Sequence, residues 1–307
     1  MKHPRNLHQD SYPLTQLVDS YPALQLYIVI KPDGAKTIDF SNPGAVKALN
    51  AALLAHYYQI GSWNIPAGYL CPPVPGRADY VHYLADLLAT DNAGLVPKGD
   101  TIKGLDVGTG ANLIYPIIAT RSYGWQMVGT DIDTVAVKSA NTIIDSNPVL
   151  RGSIVIRQQQ KQSRPHIFIS VIKADEHFDF CMCNPPFHQS AEKARDVSER
   201  KVKNLAKNKS KRGSLLPHTN HNTPLNFAGQ SNELWCEGGE LQFIKQMIVE
   251  SREYAHQIRW FSSLVSKKDN LTHIYKILRK IGGVDVKTID MAQGQKVSRF
   301  VAWRFEV

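Results

Sequence analysis

The period of the apolar residues changes near residue 95. Before that point it is helical. Asn42-Pro43 opens the first clear segment, with Asn42 suited to cap a helix and Pro43 to its first turn. Val46, Leu49, Leu53, Leu54 and Tyr57 follow at helical spacing. A second helix carries Tyr80, Leu84, Leu87 and Leu88. Between the two, Cys71-Pro72-Pro73-Val74-Pro75-Gly76 reads as a rigid, extended linker. Leu24 to Ile30 fits a short strand or the end of a helix. Residues 1–95 are therefore expected as a helical N-terminal extension.

Residues 96–307 form the second unit, where short apolar runs alternate with helical stretches. Ile102–Val107, Trp125–Thr130, Ile154–Ile156, Phe178–Cys183, Ile258–Leu264, Val284–Ile289 and Val297–Phe305 read as strands. Helices are expected over Leu113–Arg121, Val135–Ser146 and His273–Ile281, and through Phe243, Ile244 and Met247. This order predicts an α/β fold: a doubly wound, mostly parallel, seven-stranded sheet with helices on both faces. Gln293-Gly294-Gln295 joins the last two strands as an edge hairpin.

Residues 188–235 interrupt the alternation. Between Lys193 and Arg212 stand nine basic residues, among them Lys193, Arg195, Arg200, Lys201 and Lys203, against only Asp196 and Glu199. Most of the formal net charge of +9 therefore sits in this insertion. A charge run is commonly a solvated loop. Its place directly after Asn184-Pro185-Pro186-Phe187 favours the other reading, an arm that contacts nucleic-acid phosphates. Gly213 to Pro224, rich in Ser, His, Asn and Pro, reads as mobile.

The four cysteines make no Cys-x-x-Cys pair and no zinc-finger spacing, so they read as reduced thiols. The polar start Met1-Lys2-His3-Pro4-Arg5 leads into no apolar signal-peptide core, and no apolar run is long enough to span a membrane. A cytoplasmic location with no membrane and no metal partner is expected.

Candidate chemistry clusters at strand ends, where open α/β sheets bind ligands. Asp106-Val107-Gly108-Thr109-Gly110 closes the first strand of the alternating region. Its glycines permit a sharp turn and close backbone approach. A dinucleotide fold wants a third glycine, and Leu113 stands there. Asp131 ends the next strand, where a carboxylate can accept both hydroxyls of a ribose. Its other reading is a helix cap, by Asp131 or Asp133, ahead of Val135.

Asn184-Pro185-Pro186-Phe187 follows the fourth strand. An exocyclic amino nitrogen is a poor nucleophile, because its lone pair is delocalised into the ring. The Asn184 carboxamide oxygen and the Pro185 carbonyl can each accept one of its N–H groups and aim the lone pair. Phe187 can stack on the base, worth about 1–3 kcal/mol. Two prolines pre-set the backbone that carries the acceptors.

Together these runs resemble class I S-adenosylmethionine-dependent methyltransferases, and more narrowly the ribosomal RNA large subunit methyltransferase F family, related to the human methyltransferase-like 16 group. The matching runs are Asp39-Phe40-Ser41-Asn42-Pro43, Pro72 to Tyr80, Asp106 to Pro116, Cys183 to His188, Glu233 to Glu240 and Met291 to Gln295, nearly the whole length. The resemblance implies a Rossmann-like sheet, S-adenosylmethionine as cofactor, and N6-methylation of one adenine in 23S ribosomal RNA or a large-subunit assembly intermediate. By position, it implies that Arg77 meets the cofactor's methionine carboxylate. Asp106, Gly108 and Gly110 become the glycine-loop contacts, Asp131 the ribose contact, and Asn184 the amino-group contact at the edge of the cofactor site. Asp131 is Glu in the human group, which keeps the carboxylate. That group also has a cofactor contact after the third strand, where this chain has Gln158-Gln159-Gln160-Lys161-Gln162. On the residues alone, Arg77 also fits a surface salt bridge near Asp79. Trp235 and Glu237-Gly238-Gly239-Glu240 fit either a base pocket or the start of the next helix.

Two rival functions use the same residues. A protein glutamine methyltransferase faces the same problem at an amide nitrogen; the basic insertion and Phe187 count against it. A ribosome-binding assembly factor with a vestigial methyltransferase fold would not need Asp131 and Asn184 intact.

Overall fold

The computed structural model describes residues 2–160, 166–186, 236–282, 285–293 and 296–306. Phe187, Lys193, Arg195, Arg200, Lys201, Lys203 and Trp235 lie outside the described residues. The extension holds α1 (Leu14–Ser20), a 3-10 turn at Pro22–Tyr27, a hairpin of β1 (Ile28–Ile30) and β2 (Lys36–Ile38), and the helices α2 (Pro43–Tyr58) and α3 (Val74–Ala89). The alternating region runs β3 (Lys103–Val107), α4 (Ile114–Tyr123), β4 (Gln126–Asp131), α5 (Thr134–Ser146), β5 (Ile154–Gln158) and β6 (Phe178–Cys183). It continues with α6 (Gly239–Ser251), β7 (Ile258–Val265), α7 (Asn270–Lys280), β8 (Asp285–Gln293) and β9 (Lys296–Arg304).

Local chemistry accounts for the helix starts. The Asn42 side chain accepts the N–H groups of Gly44 (2.9 Å) and Ala45 (3.3 Å), with Pro43 in the first turn of α2. Asp133 caps α5 through the Val135 N–H at 2.8 Å. The expected extended linker is corrected at its end. Only Cys71 to Pro73 precede α3, and Val74-Pro75-Gly76 are its first turn. A first-turn proline gives up an N–H that has no partner there in any case, so Pro75 does not prevent the helix. Leu24 to Ile30 satisfies both of its readings, because the 3-10 turn leads straight into β1.

The seven-stranded sheet has the order β5-β4-β3-β6-β7-β9-β8. It is parallel from β5 to β7, and β9 is antiparallel to both β7 and β8. The strand order reverses between β3 and β6, so the crevice between their carboxyl ends is the switch point of the sheet. One sheet face, through Phe180, Met182, Trp260 and Phe300, packs in a common core with α2, α3 and α4. The other, through Leu105, Cys181, Phe261 and Trp303, packs on α6 and α7. Cys181 and Cys183 share that second face, both buried as free thiols. The fully buried Trp125, Trp260 and Trp303 each donate their indole N–H, to the Pro97 carbonyl, the Asp91 carboxylate and the Ser251 hydroxyl. Truncating any one to Ala costs about 3–5 kcal/mol.

Candidate active site

β3 leaves the sheet through Gly108 and Gly110, both in left-handed backbone with φ of +72° and +66°. A side chain there would be strained. No atom lies within 4 Å of where a Gly108 Cβ would sit, so this turn is open to a ligand. The Thr109 N–H bonds the Thr130 carbonyl at 2.8 Å and ties the turn to β4. Leu113, in the place of a dinucleotide site's third glycine, is also left-handed with φ of 55°. That conformation costs a non-glycine residue about 1–2 kcal/mol, and it sets the start of α4.

Asp131 ends β4. Its two oxygens accept the Gly110 and Asp133 N–H groups, each at 2.9 Å. The cap of α5 is Asp133 rather than Asp131, and Tyr69 donates to Asp133 Oδ2 at 2.6 Å. Asp131 therefore keeps lone pairs for a ligand. Burial raises its carboxyl above the usual range, and the two backbone N–H groups counter part of that rise.

Asp106 is fully buried on β3. Burial pushes its carboxyl up to about 7; Thr109 and Arg77 pull it down and Asp131 pushes it further up. The Thr109 hydroxyl is close enough to act on the charge, yet neither Asp106 oxygen has a partner with full hydrogen-bond geometry. Arg77, on α3, donates from Nη1 to the Tyr115 hydroxyl at 2.8 Å and lies 5.6 Å from that ring's centre. Asn184 directly follows β6, ahead of the buried Pro185, and its Oδ1 is buried and unpartnered.

Among the described residues, seven buried side-chain polar atoms have no partner. Three belong to residues that line this cleft, Thr109 Oγ, Arg77 Nε and Asn184 Oδ1, and two are the oxygens of Asp106, fully buried on β3 next to the lining residue Val107. Each such atom costs about 1–3 kcal/mol until something completes it. The wall thus offers a guanidinium, the Asp131 carboxylate, an open glycine turn and a carboxamide, with the Asp106 carboxyl buried beside it. A ligand with a carboxylate, an ammonium and ribose hydroxyls at separate points fits this set, and S-adenosylmethionine has that form.

The cleft brings together Arg77, Gly108, Gly110, Asp131 and Asn184, which the sequence singled out, while Asp106, also singled out, is fully buried and does not line it. It adds Tyr115, Ile132 and Phe243, which the sequence did not, and takes Gln159 from the run the resemblance pointed to without fixing a residue. The Gln159 N–H bonds the Asp131 carbonyl at 2.8 Å. Glu237 to Glu240 lead into α6, where the buried Glu240 carboxylate accepts the Ser266 N–H at 2.6 Å. No helix among the described residues is long and apolar enough to cross a membrane. No group of three or more His, Cys, Asp or Glu among them could hold a metal ion.

A family profile described as RNA methyltransferase matches residues 1–307. The chain is 54% identical over 306 residues to the ribosomal RNA large subunit methyltransferase F of Pseudoalteromonas atlantica, covering 99% of this chain and 92% of that one. It is 53% identical over 303 residues to the protein of that name in Flavobacterium johnsoniae, covering 99% and 93%. The human METTL16 catalytic domain, solved in complex with MAT2A 3′UTR hairpin 1, superposes with a TM-score of 0.79 at 28% identity, covering 99% of this chain and 96% of that one. The N-terminal domain of human METTL16, solved in complex with SAH, gives a TM-score of 0.74 at 26% identity, covering 100% and 99%. Fold, cleft and relatives agree on S-adenosylmethionine as methyl donor. The chain belongs to the RNA methyltransferase family.

Proposed function

We propose that the chain methylates N6 of one adenine in 23S ribosomal RNA, free or within a large-subunit assembly intermediate. The observation that carries this reading is the buried, unpartnered Asn184 Oδ1 at the end of β6, in one cleft with Arg77, Gly108 and Asp131. The names of the relatives from Pseudoalteromonas and Flavobacterium support ribosomal RNA as the substrate.

Arg77 holds the cofactor's carboxylate, Asp106 its ammonium, Asp131 its ribose hydroxyls, and Gly108 and Gly110 let the backbone approach. Bound S-adenosylmethionine supplies an electrophilic methyl group. Asn184 and the Pro185 carbonyl accept the two N–H groups of the target amine. That withdraws its lone pair from the ring and aims it, with the geometry pre-set by two prolines. Phe187 stacks on the base, which must already be unpaired or leave its stack. Residues 1–95 supply Arg77, and residues 96–307 supply the other contacts. The 188–235 insertion, through Lys193, Arg195, Arg200, Lys201 and Lys203, meets RNA phosphates, so binding weakens as salt rises. The reading sets the work in the cytoplasm, with the ribosomal RNA.

Mass mapping of 23S RNA from cells lacking the protein tests this. One N6-methyladenine should disappear. The wild-type copy should restore it, and Asn184→Ala should not. An unchanged methylation map in the deletion strain would overturn the proposal.

A further inference from the structure

Cys183 is the last residue of β6, and Asn184 follows it. β6 stays paired with β3 to that point, through Val107 opposite Cys183. Its pairing with β7 runs through Phe178–Ile258 and Phe180–Trp260 to Cys181–Phe261. In a continued parallel ladder the Cys183 N–H would meet a β7 carbonyl. It donates instead to the Tyr80 hydroxyl, at 3.4 Å. That hydroxyl lies 2.8 Å from Ser262 Oγ, and Ser262 donates to the Cys181 carbonyl at 2.9 Å. Ser262 has one hydrogen, so toward Tyr80 it can only accept, and Tyr80 is the donor. Burial keeps the Tyr80 hydroxyl protonated, well above its usual range. The ring is fully buried, edge-on to Tyr115 at 5.5 Å and 4.9 Å from Phe300.

We infer that Tyr80 is a positioning residue for Asn184. Its hydroxyl, in relay with Ser262, replaces a ladder contact between β6 and β7 and fixes the backbone from which Asn184 Oδ1 is aimed into the cleft. Arg77 lies one turn earlier on α3. One rigid helix therefore carries both a contact to the methyl donor and the brace for the amine acceptor. The inference rests on the role proposed above for Asn184.

Tyr80→Phe keeps the ring and deletes the hydroxyl. Single-turnover methyl transfer, normalised to calorimetric S-adenosylmethionine sites, should fall roughly 10- to 100-fold, since small misplacements of reacting groups cost that much. The S-adenosylmethionine Kd should stay within about twofold, because the cofactor contacts are untouched. Ser262→Ala should reproduce the loss, and Ser262→Thr, which keeps a hydroxyl, should recover most of it. If Tyr80→Phe does not fold, the two Ser262 variants decide in the same way. A residue that only supports the fold would lower the melting temperature and the fraction of competent sites, with turnover per site unchanged; that result overturns the inference. Asn184→Ala is the control. Full turnover there removes the role of Asn184 and this inference with it, whereas loss there beside an unchanged Tyr80→Phe removes the positioning role alone.

Discussion

The two edges of the central sheet differ in the state of their polar groups. The amino edge holds the larger hollow, about 1120 Å³, lined in part by Lys103, His177, Asp179, Arg259, Asp285 and Arg304. The carboxyl-edge cleft encloses about 130 Å³. Yet several charges of the amino edge are paired with each other. Glu176 binds Lys103 at 3.1 Å and Arg157 at 2.6 Å. Asp91 binds Arg304 at 3.0 Å and Arg259 at 3.1 Å, and Arg304 reaches Asp285 at 3.0 Å. Asp179 accepts the Lys103 N–H at 2.8 Å. At the carboxyl edge, buried polar atoms on Asp106, Thr109, Arg77 and Asn184 are left unpaired. Volume marks a hollow. Unsatisfied buried polarity gathered in one place marks a site, because folding alone would not retain such a cluster.

The sharpest way to break this contrast is Asn184→Ala. Methyl transfer should fall roughly 10²- to 10³-fold or more, the scale of losing a preorganised acceptor or donor. The S-adenosylmethionine Kd, by calorimetry, should move by less than about threefold. Unchanged turnover would mean that the unpaired oxygen is no marker of chemistry.

Asp106→Asn tests the same idea through stability. The folded carboxyl sits at about 7. In the unfolded chain it sits near its ordinary value of about 4. Between those values the folded chain holds a proton that the unfolded chain releases. The stability of the free enzyme therefore falls as pH rises from about 4 to about 7, then levels off. The variant lacks this fall. At pH 8 it should be more stable than the wild type by about 1–3 kcal/mol, and should bind S-adenosylmethionine at least tenfold more weakly. Thermal melts of both proteins across pH 4–8, with calorimetry at pH 8, would show it. Parallel stability curves would sink the claim.

How much of each edge could be read from the chain follows from how local its determinants are. β6 was legible residue for residue, because Phe178 to Cys183 is apolar at every position but Asp179 and is stopped by Asn184-Pro185. Asp131 and the glycine turn were legible because each sits at the end of its own strand. The first turn of α3 was hidden by prolines that a helix start tolerates. α1 has seven residues, too short to show a period. Tyr115, Ile132, Gln159 and Phe243 belong to four separate elements or loops, and only the fold converges them. Arg77 was pointed to by the resemblance. Its anchor, Tyr115, lies 38 residues away on another helix, beyond the reach of local pattern.

At the amino edge, Glu176→Gln should affect stability and leave chemistry alone. Hydrogen bonds from Arg157, with help from the Lys173 N–H and Lys103, hold the Glu176 carboxyl down at about 2. A carboxyl held below its unfolded value stabilises the fold above about pH 4.5 and loses that contribution as pH falls toward 2. The variant should lose about 1–3 kcal/mol at pH 7. The gap to wild type should narrow below about pH 4.5 and close only near pH 2, and turnover per folded site at pH 7 should be unchanged. Chemical denaturation at pH 7 and near pH 2, with one turnover assay, is sufficient. A drop in turnover would show that the two edges are coupled.

The smallest expected effect probes whether the carboxyl edge is itself one unit. Tyr115→Phe removes the hydroxyl that Arg77 bonds at 2.8 Å and keeps the ring beneath its guanidinium. Losing one such bond beside a surviving cation–ring contact should weaken S-adenosylmethionine binding by about two- to fivefold. Turnover at saturating cofactor should not change, because the Tyr115 hydroxyl bonds Arg77 and is not a member of the hydrogen-bond relay Tyr80–Ser262–Cys181. If saturating turnover also falls, the edge-on contact between Tyr80 and Tyr115 transmits the change, and cofactor clamp and amine acceptor move together. If it does not, α3 holds two independent devices one turn apart, and the cleft is an assembly of separable contacts.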